Sequence, residues 1–207
     1  MPDAVIKILT VFACLTFLWG VSIFPQIGLS LLGCIVRWKE SVNLHASVSL
    51  SRMRDSAAWL LVPTFLLLCS EFDIYPAIWP LEAWPSIART SLVFAVYLIV
   101  RALCNLVFRG RKIDRKDFYC AICCQRNFFI ILVFIMALTF CVSFIFDFAH
   151  EVTGSVLDWE IVVVYVVHLI RKTQIFAHYV GFLAGFLYLC TLEILPTGLL
   201  VAPLLLR

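Results

Sequence analysis

The chain has 207 residues, of which 63% are hydrophobic and only 14% charged, and its mean hydropathy is +1.03. A water-soluble domain is about 45–50% apolar and about 25% charged, so one water-facing core is excluded and lipid must be the solvent for much of the chain. The net charge of +3 is small, acids interleave with the bases, and nucleic acid is not an expected partner.

The first apolar run, Val5 to Phe24, is broken only by Lys7 and meets the length of about 20 residues that a bilayer crossing needs. No basic stretch precedes it and no small-x-small cleavage site follows it, so it reads as a retained helix rather than a signal peptide. Gln26 to Trp38 is apolar but short. It reads as interfacial or re-entrant, with a kinked continuation of the first helix as the alternative. The polar segment Arg37 to Asp55 leads to a second span over residues 56–72 that contains Pro63. Trp79, Trp84 and Tyr75, in a loop with prolines and acids, read as an interfacial belt. A third span covers 87–108 and carries Arg101. A basic loop, RGRKIDRKDFYCAICCQR, leads to a fourth span at 127–146.

The spacing Ser155-x-x-Asp158 resembles a capping box and predicts a fifth span over 155–170. Arg171-Lys172-Thr173-Gln174 reads as a tight turn into a sixth span, 175–195, which could continue past Pro196. The expected fold is therefore all-α: a single integral membrane domain, residues 1–207, forming a polytopic bundle of about six transmembrane helices. Twelve of the 16 Lys and Arg residues fall in three alternate loops, including Arg37, Lys39, Arg52, Arg54 and the cluster Arg109 to Arg126. Positive loops stay cytoplasmic, which places both termini on the periplasmic side.

The last span carries YLCTLEILP, Tyr188 to Pro196. This stretch resembles the C-terminal signature of a family of uncharacterised inner-membrane proteins common in Bacteroidetes, a domain of unknown function. The order of spans and the basic loops are also similar, from the first helix to Pro196. The resemblance implies a multi-pass protein of the bacterial inner (cytoplasmic) membrane and supplies no mechanism.

Functional candidates concentrate in the final hairpin. Glu193 is a carboxylate in an apolar run, where an acid is costly and a functional site is the first hypothesis. Tyr188, Thr191 and His178 are its candidate companions, against the plainer reading of a carboxylate wetted at the interface. Gly181 and Gly185 form a GxxxG pair with Ala177 nearby, which reads first as close helix packing. His168 and His178 lie equally far from Thr173, so a hairpin would bring them to one depth, where two imidazoles could ligate haem or a metal; interfacial histidines are the commoner case. Arg101 reads as snorkelling toward the cytoplasm, with pairing to an acid in the bundle as the alternative. Cys120-x-x-Cys123-Cys124 supplies only part of the four ligands that a structural zinc site needs and reads as reduced thiols in a polar loop.

No phosphate loop, nucleophile elbow or HExxH motif occurs,. The expectation is thus a non-enzymatic transport component or membrane-complex assembly subunit with a polar site around Glu193 and no cofactor. Its partners would be the lipid bilayer and other membrane subunits. The alternatives are a haem- or metal-binding redox protein using His168 and His178, or a membrane enzyme acting on a lipid-linked substrate.

Overall fold

A computed structural model describes residues 3–75, 85–108 and 115–179. Among the described residues the fold is all-α, with seven helices and no strand. These are α1 (Asp3–Val36), α2 (Trp38–Ala46), α3 (Val48–Leu60), α4 (Val62–Glu71), α5 (Ser86–Phe108), α6 (Arg115–Phe146) and α7 (His150–Tyr179). Four of them contain stretches long and apolar enough to cross a membrane: Lys7–Val36, Ser86–Leu103, Cys123–Phe146 and His150–His178. Their outward faces carry large apolar side chains such as Leu18, Leu29, Ile99, Leu138 and Val163, while Thr16, Thr64, Arg101, Asn127 and His168 are buried. Polar groups inside and apolar groups outside is the arrangement expected where hydrocarbon is the solvent.

The first helix does not stop near Pro25. It runs unbroken to Val36, with Pro25 inside it, so the continuation is the correct reading of Gln26 to Val36. Proline removes one backbone donor, and membrane helices tolerate this because neighbours re-satisfy the freed group. Arg37, extended at φ −133°, then reverses the chain. Gly33 makes the reversal tight, because a β-carbon there would lie 3.1 Å from Cγ of Glu40 on α2.

The polar segment after Arg37 is helical as well. The α2 and α3 helices fold back along α1, and α3 leads into α4 with only Leu61 between them. Hydrogen bonds Leu61 N to Ala57 O and Phe65 N to Leu61 O carry the ladder through this junction. Pro63, at the start of α4, explains the break,. Gly20 of α1 lets the junction approach, since a β-carbon there would sit 3.1 Å from Leu61 Cδ2. Thr64 Oγ1 donates to the Ala13 carbonyl at 3.2 Å, a hydrogen bond between α4 and α1 in a water-poor interior,.

Three further expectations change. The α6 helix begins at Arg115, so Cys123 and Cys124 lie on a helix and are buried, not in a solvated loop. The α7 helix begins at His150, and Ser155 lies inside it, its hydroxyl donating to the Glu151 carbonyl at 3.0 Å. It caps nothing. The turn ahead of α7 falls earlier, where Asp147 takes a left-handed φ of 52°. Ser143 and Thr153, 2.6 Å apart, and Thr139 donating to Glu160 then join α6 to α7.

Most consequential, residues 171–174 are not a turn, because α7 passes straight through them. None is Gly or Pro, so nothing local breaks the helix. Their polar groups are held as well. Arg171 Nε donates to the Ile35 carbonyl at 2.8 Å and Thr173 Oγ1 to the Leu169 carbonyl at 2.7 Å. Arg171 thereby neutralises the carbonyl end of α1, where a cation is favoured by the helix dipole. The proposed division into spans at 155–170 and from 175 is corrected accordingly.

Spin labels at Val156 and His178, in a background lacking the other cysteines, test this. A continuous helix puts the labelled positions about 33 Å apart at 1.5 Å per residue. A turn at Arg171–Gln174 would bring them within about 20 Å, given an interhelical spacing of about 8–10 Å.

Candidate functional site: an intramembrane cavity with one basic end

The α5 helix packs directly along α4, whereas a partly open cavity of about 340 Å³ separates it from α6 and α7. The lining follows helical spacing: Phe94, Tyr97, Leu98 and Arg101 on α5, Gln125, Phe128, Phe129 and Leu132 on α6, and Ile161, Val164, Tyr165 and His168 on α7. Each set recurs every three or four residues and so occupies one face of its helix. Ala58 and Trp59 of α3, Val62 and Phe65 of α4, and Tyr75 complete the wall.

The lining is sorted along its length. On α5 the order is Phe94 to Arg101, and on α7 Ile161 to His168. On α6, which runs the opposite way, the order is Gln125 to Leu132. Arg101, Gln125, Arg126 and His168 therefore share one end, and Phe94, Leu132 and Ile161 the other. Seven residues on each helix give the cavity a depth of about 10 Å. Its floor is aromatic, with ring centroids 5.6 Å apart for Phe65–Phe94 and 5.4 Å for Phe65–Phe129. Trp59 of α3, 64% exposed, and Ala102 of α5 also belong to the wall.

At the basic end Arg101 is 6% exposed. Its Nη1 donates to the Tyr97 hydroxyl at 2.8 Å, and Gln125 of α6 donates to the same oxygen. The Arg101 side chain thus turns back one helical turn into the bundle. It does not snorkel outward; it ties α5 to α6 across the cavity through Tyr97. Behind this end lies a second polar set. Arg54, 0% exposed, donates from Nε to Asp55 Oδ1 at 2.8 Å, and Arg126 of α6 reaches Asp55 Oδ2 at 2.5 Å. Asn127, also fully buried, bonds Ser41 Oγ at 3.5 Å and Cys34 Sγ at 3.6 Å, which closes α1, α2 and α6 on one another.

The residues singled out from sequence divide sharply. His168 is buried, lines the cavity and lies against the Phe128 ring at 5.4 Å. His178 is exposed, and its ring meets Trp38 of α2 at 4.9 Å. Ten residues apart on one continuous helix, the two are about 15 Å distant along the axis and cannot ligate the same ion or haem. That expectation depended on the turn that α7 does not make. Among the described residues no group of three or more His, Cys, Asp or Glu side chains gathers to hold a metal. Ala177 is half-buried on α7. Gly181, Gly185, Tyr188, Thr191 and Glu193 lie outside the described residues, as does the YLCTLEILP signature.

Sequence reasoning passed over Tyr97, Gln125, Tyr165 and the pairing of Asp55. Two signals were present: the i, i+4 spacing of Tyr97 and Arg101, and the polar triplet Gln125-Arg126-Asn127 at the head of an apolar run. The first was hidden by reading Arg101 as snorkelling, the second by counting Arg126 as a topology marker.

Removing one member of a buried ion-pair set is costly because it strands the other. Asp55→Asn leaves Arg54 and Arg126 facing each other without a carboxylate, at a cost of about 1–2 kcal/mol, since Asp55 and Arg126 are partly solvated,. Arg54→Met leaves Asp55 paired with Arg126 and should cost less than half as much. Thermal unfolding of the purified variants in detergent should rank Asp55→Asn below Arg54→Met, and the reverse order would contradict the pairing.

No family model, curated protein or solved structure matches the chain, so the function must be argued from this geometry.

Proposed function

We propose that this is a non-enzymatic multi-pass membrane protein that binds a membrane-soluble amphiphile in the cavity between α3, α4, α5, α6 and α7, as a transport component or as a subunit that presents its ligand to partners. The observation that supports this most is the cavity itself: about 340 Å³, apolar and aromatic along most of its wall, with polar side chains gathered at one end. Ligand cavities have volumes of about 300–1,000 Å³ and combine such walls with a few convergent polar groups.

In this reading the chain crosses a bacterial inner membrane six times, with both termini periplasmic. The crossings are α1, the α3–α4 pair, α5, α6, α7 and the apolar run that includes Glu193. The basic end of the cavity is then cytoplasmic, since it lies beside Arg37, Arg54 and Arg171, and basic residues favour that side. Tyr188, Thr191 and Glu193 remain a second polar candidate in the last crossing, and the likeness of Tyr188–Pro196 to the Bacteroidetes inner-membrane family supports the location.

A fatty acid carrying a photoactivatable diazirine in mid-chain tests the binding reading in nanodiscs. Labelling should concentrate on Phe128, Phe129 and Val164, and excess unlabelled fatty acid should suppress it. Ala58→Phe, which fills the cavity, should reduce it about tenfold, equivalent to about 1.4 kcal/mol. Leu18→Phe on the lipid-facing side of α1 should not change it. Labelling confined to outward-facing residues, or not saturable, would refute the proposal.

A further inference from the structure

Resting on the reading of the cavity as an amphiphile site, we infer that the buried end of its ligand is a flat ring that carries oxygen, a quinone or a phenol with an apolar tail, held between aromatic walls with its oxygen at Gln125.

The first support is the character of the wall. Four phenylalanines, three tyrosines and one tryptophan stand among the 19 residues that line the cavity, whereas Phe, Tyr and Trp together make up 14% of the chain. An acyl chain gains its dispersion contacts equally well from leucine, isoleucine or valine, and these are abundant on the outward faces of the bundle. Aromatic side chains offer more to another ring, which they meet by offset stacking or edge to face.

The second is how these rings are arranged. Phe94 of α5 and Phe129 of α6 lie 6.3 Å apart with their planes 29° from parallel, and Phe65 of α4 meets Phe129 edge-on at 68°. Tyr97 continues the row along α5, 6.2 Å from Phe94. Faces and edges from three helices thus border one space, and a flat ring entering it meets both kinds of partner.

The third is the polar group at the end of this row. Gln125 is half-buried and gives one N–H to the Tyr97 oxygen, which also accepts from Arg101. A carboxamide has two N–H donors and an acceptor oxygen, and the Gln125 side chain has no other hydrogen bond among the described residues. Its second N–H suits a ring carbonyl, and its oxygen suits a ring hydroxyl. Neither bond requires a charge on the ligand. The bond to Tyr97 holds the amide in place, so little further freedom is lost on binding. A depth of about 10 Å and a volume of about 340 Å³ accommodate one such ring and the first part of its tail.

Purified protein in zwitterionic nanodiscs can be titrated with amphiphiles that share one decyl tail and differ in the head: benzoquinone, phenol, plain benzene, cyclohexanol or trimethylammonium. Each displaces a fluorescent fatty acid, and each affinity is referred to the concentration in the bilayer. The quinone or the phenol should bind at least tenfold more tightly than cyclohexanol, which has oxygen but no flat ring. It should bind at least threefold more tightly than benzene, which has the ring but no oxygen. Tighter binding of the quinone identifies the ring oxygen as an acceptor, tighter binding of the phenol as a hydroxyl, and either order supports the inference. Gln125→Leu should bring the oxygenated rings to within twofold of benzene. Phe129→Leu should cut the preference for phenol over cyclohexanol to under threefold, and Phe94→Leu serves if that variant does not fold. Equal affinity for flat and saturated rings, or a ring preference unchanged in these variants, would overturn the inference and leave the cavity reading standing. So would tightest binding of the trimethylammonium form, which would show the walls acting as a cation cage. Failure of all five to displace the probe would overturn both.

Discussion

A buried charge must be matched from within the protein, and the fully buried Arg54 meets that requirement through Asp55, a carboxylate that Arg126 of α6 also reaches. Arg54 belongs to the helix that folds back along α1, and Arg126 belongs to α6. One carboxylate therefore joins the N-terminal hairpin to the C-terminal helices. Desolvating the buried Arg54 guanidinium is costly, so the elements that carry this set cannot separate without leaving that charge unpaired. The remaining polar contacts extend the same logic: Asn127 with Ser41 and Cys34, Arg171 on the last carbonyls of α1, and Thr64 on Ala13.

With that end fixed, the cavity follows from how α5 is attached. It lies along α4 and is anchored at its start by Asp73, which accepts from Arg89 at 2.8 Å and from Ser86 at 3.2 Å. Further along, its inward face meets a space that side chains do not fill, crossed by the Arg101–Tyr97–Gln125 hydrogen bonds. Well-packed interiors leave few voids larger than a water molecule. This cavity, sorted from aromatic to basic along about 10 Å, has the size that ligand sites have,. It is the feature from which a function can be argued.

Much of the architecture was legible in the sequence, because length and hydropathy alone identify a membrane helix. Val5–Phe24, 87–108 and 127–146 each lie within a helix long enough to cross. What hydropathy could not show was where helices end. Arg171-Lys172-Thr173-Gln174 is as polar as a turn, yet each side chain finds a partner on the helix or on α1 and its neighbours, so helix propensity prevails. Arg37 to Asp55 is polar yet helical as well: Arg37, Lys39 and Arg52 are exposed, while Arg54 and Asp55 pair at the bundle's edge. The cavity was illegible because its members are spread over five helices, and only tertiary packing brings Tyr97, Gln125 and His168 together. Arg101 was noticed as anomalous, but the sequence alone could not show that it turns inward.

The most direct measurement of the central claim is native mass spectrometry of the protein ejected from its own membranes without prior delipidation. The account predicts a population carrying a single bound amphiphile that survives collisional activation strong enough to remove surface lipids, and that is absent from the Ala58→Phe variant. A spectrum in which every adduct is lost together with the surface lipids, or in which Ala58→Phe retains the same bound species, would contradict it.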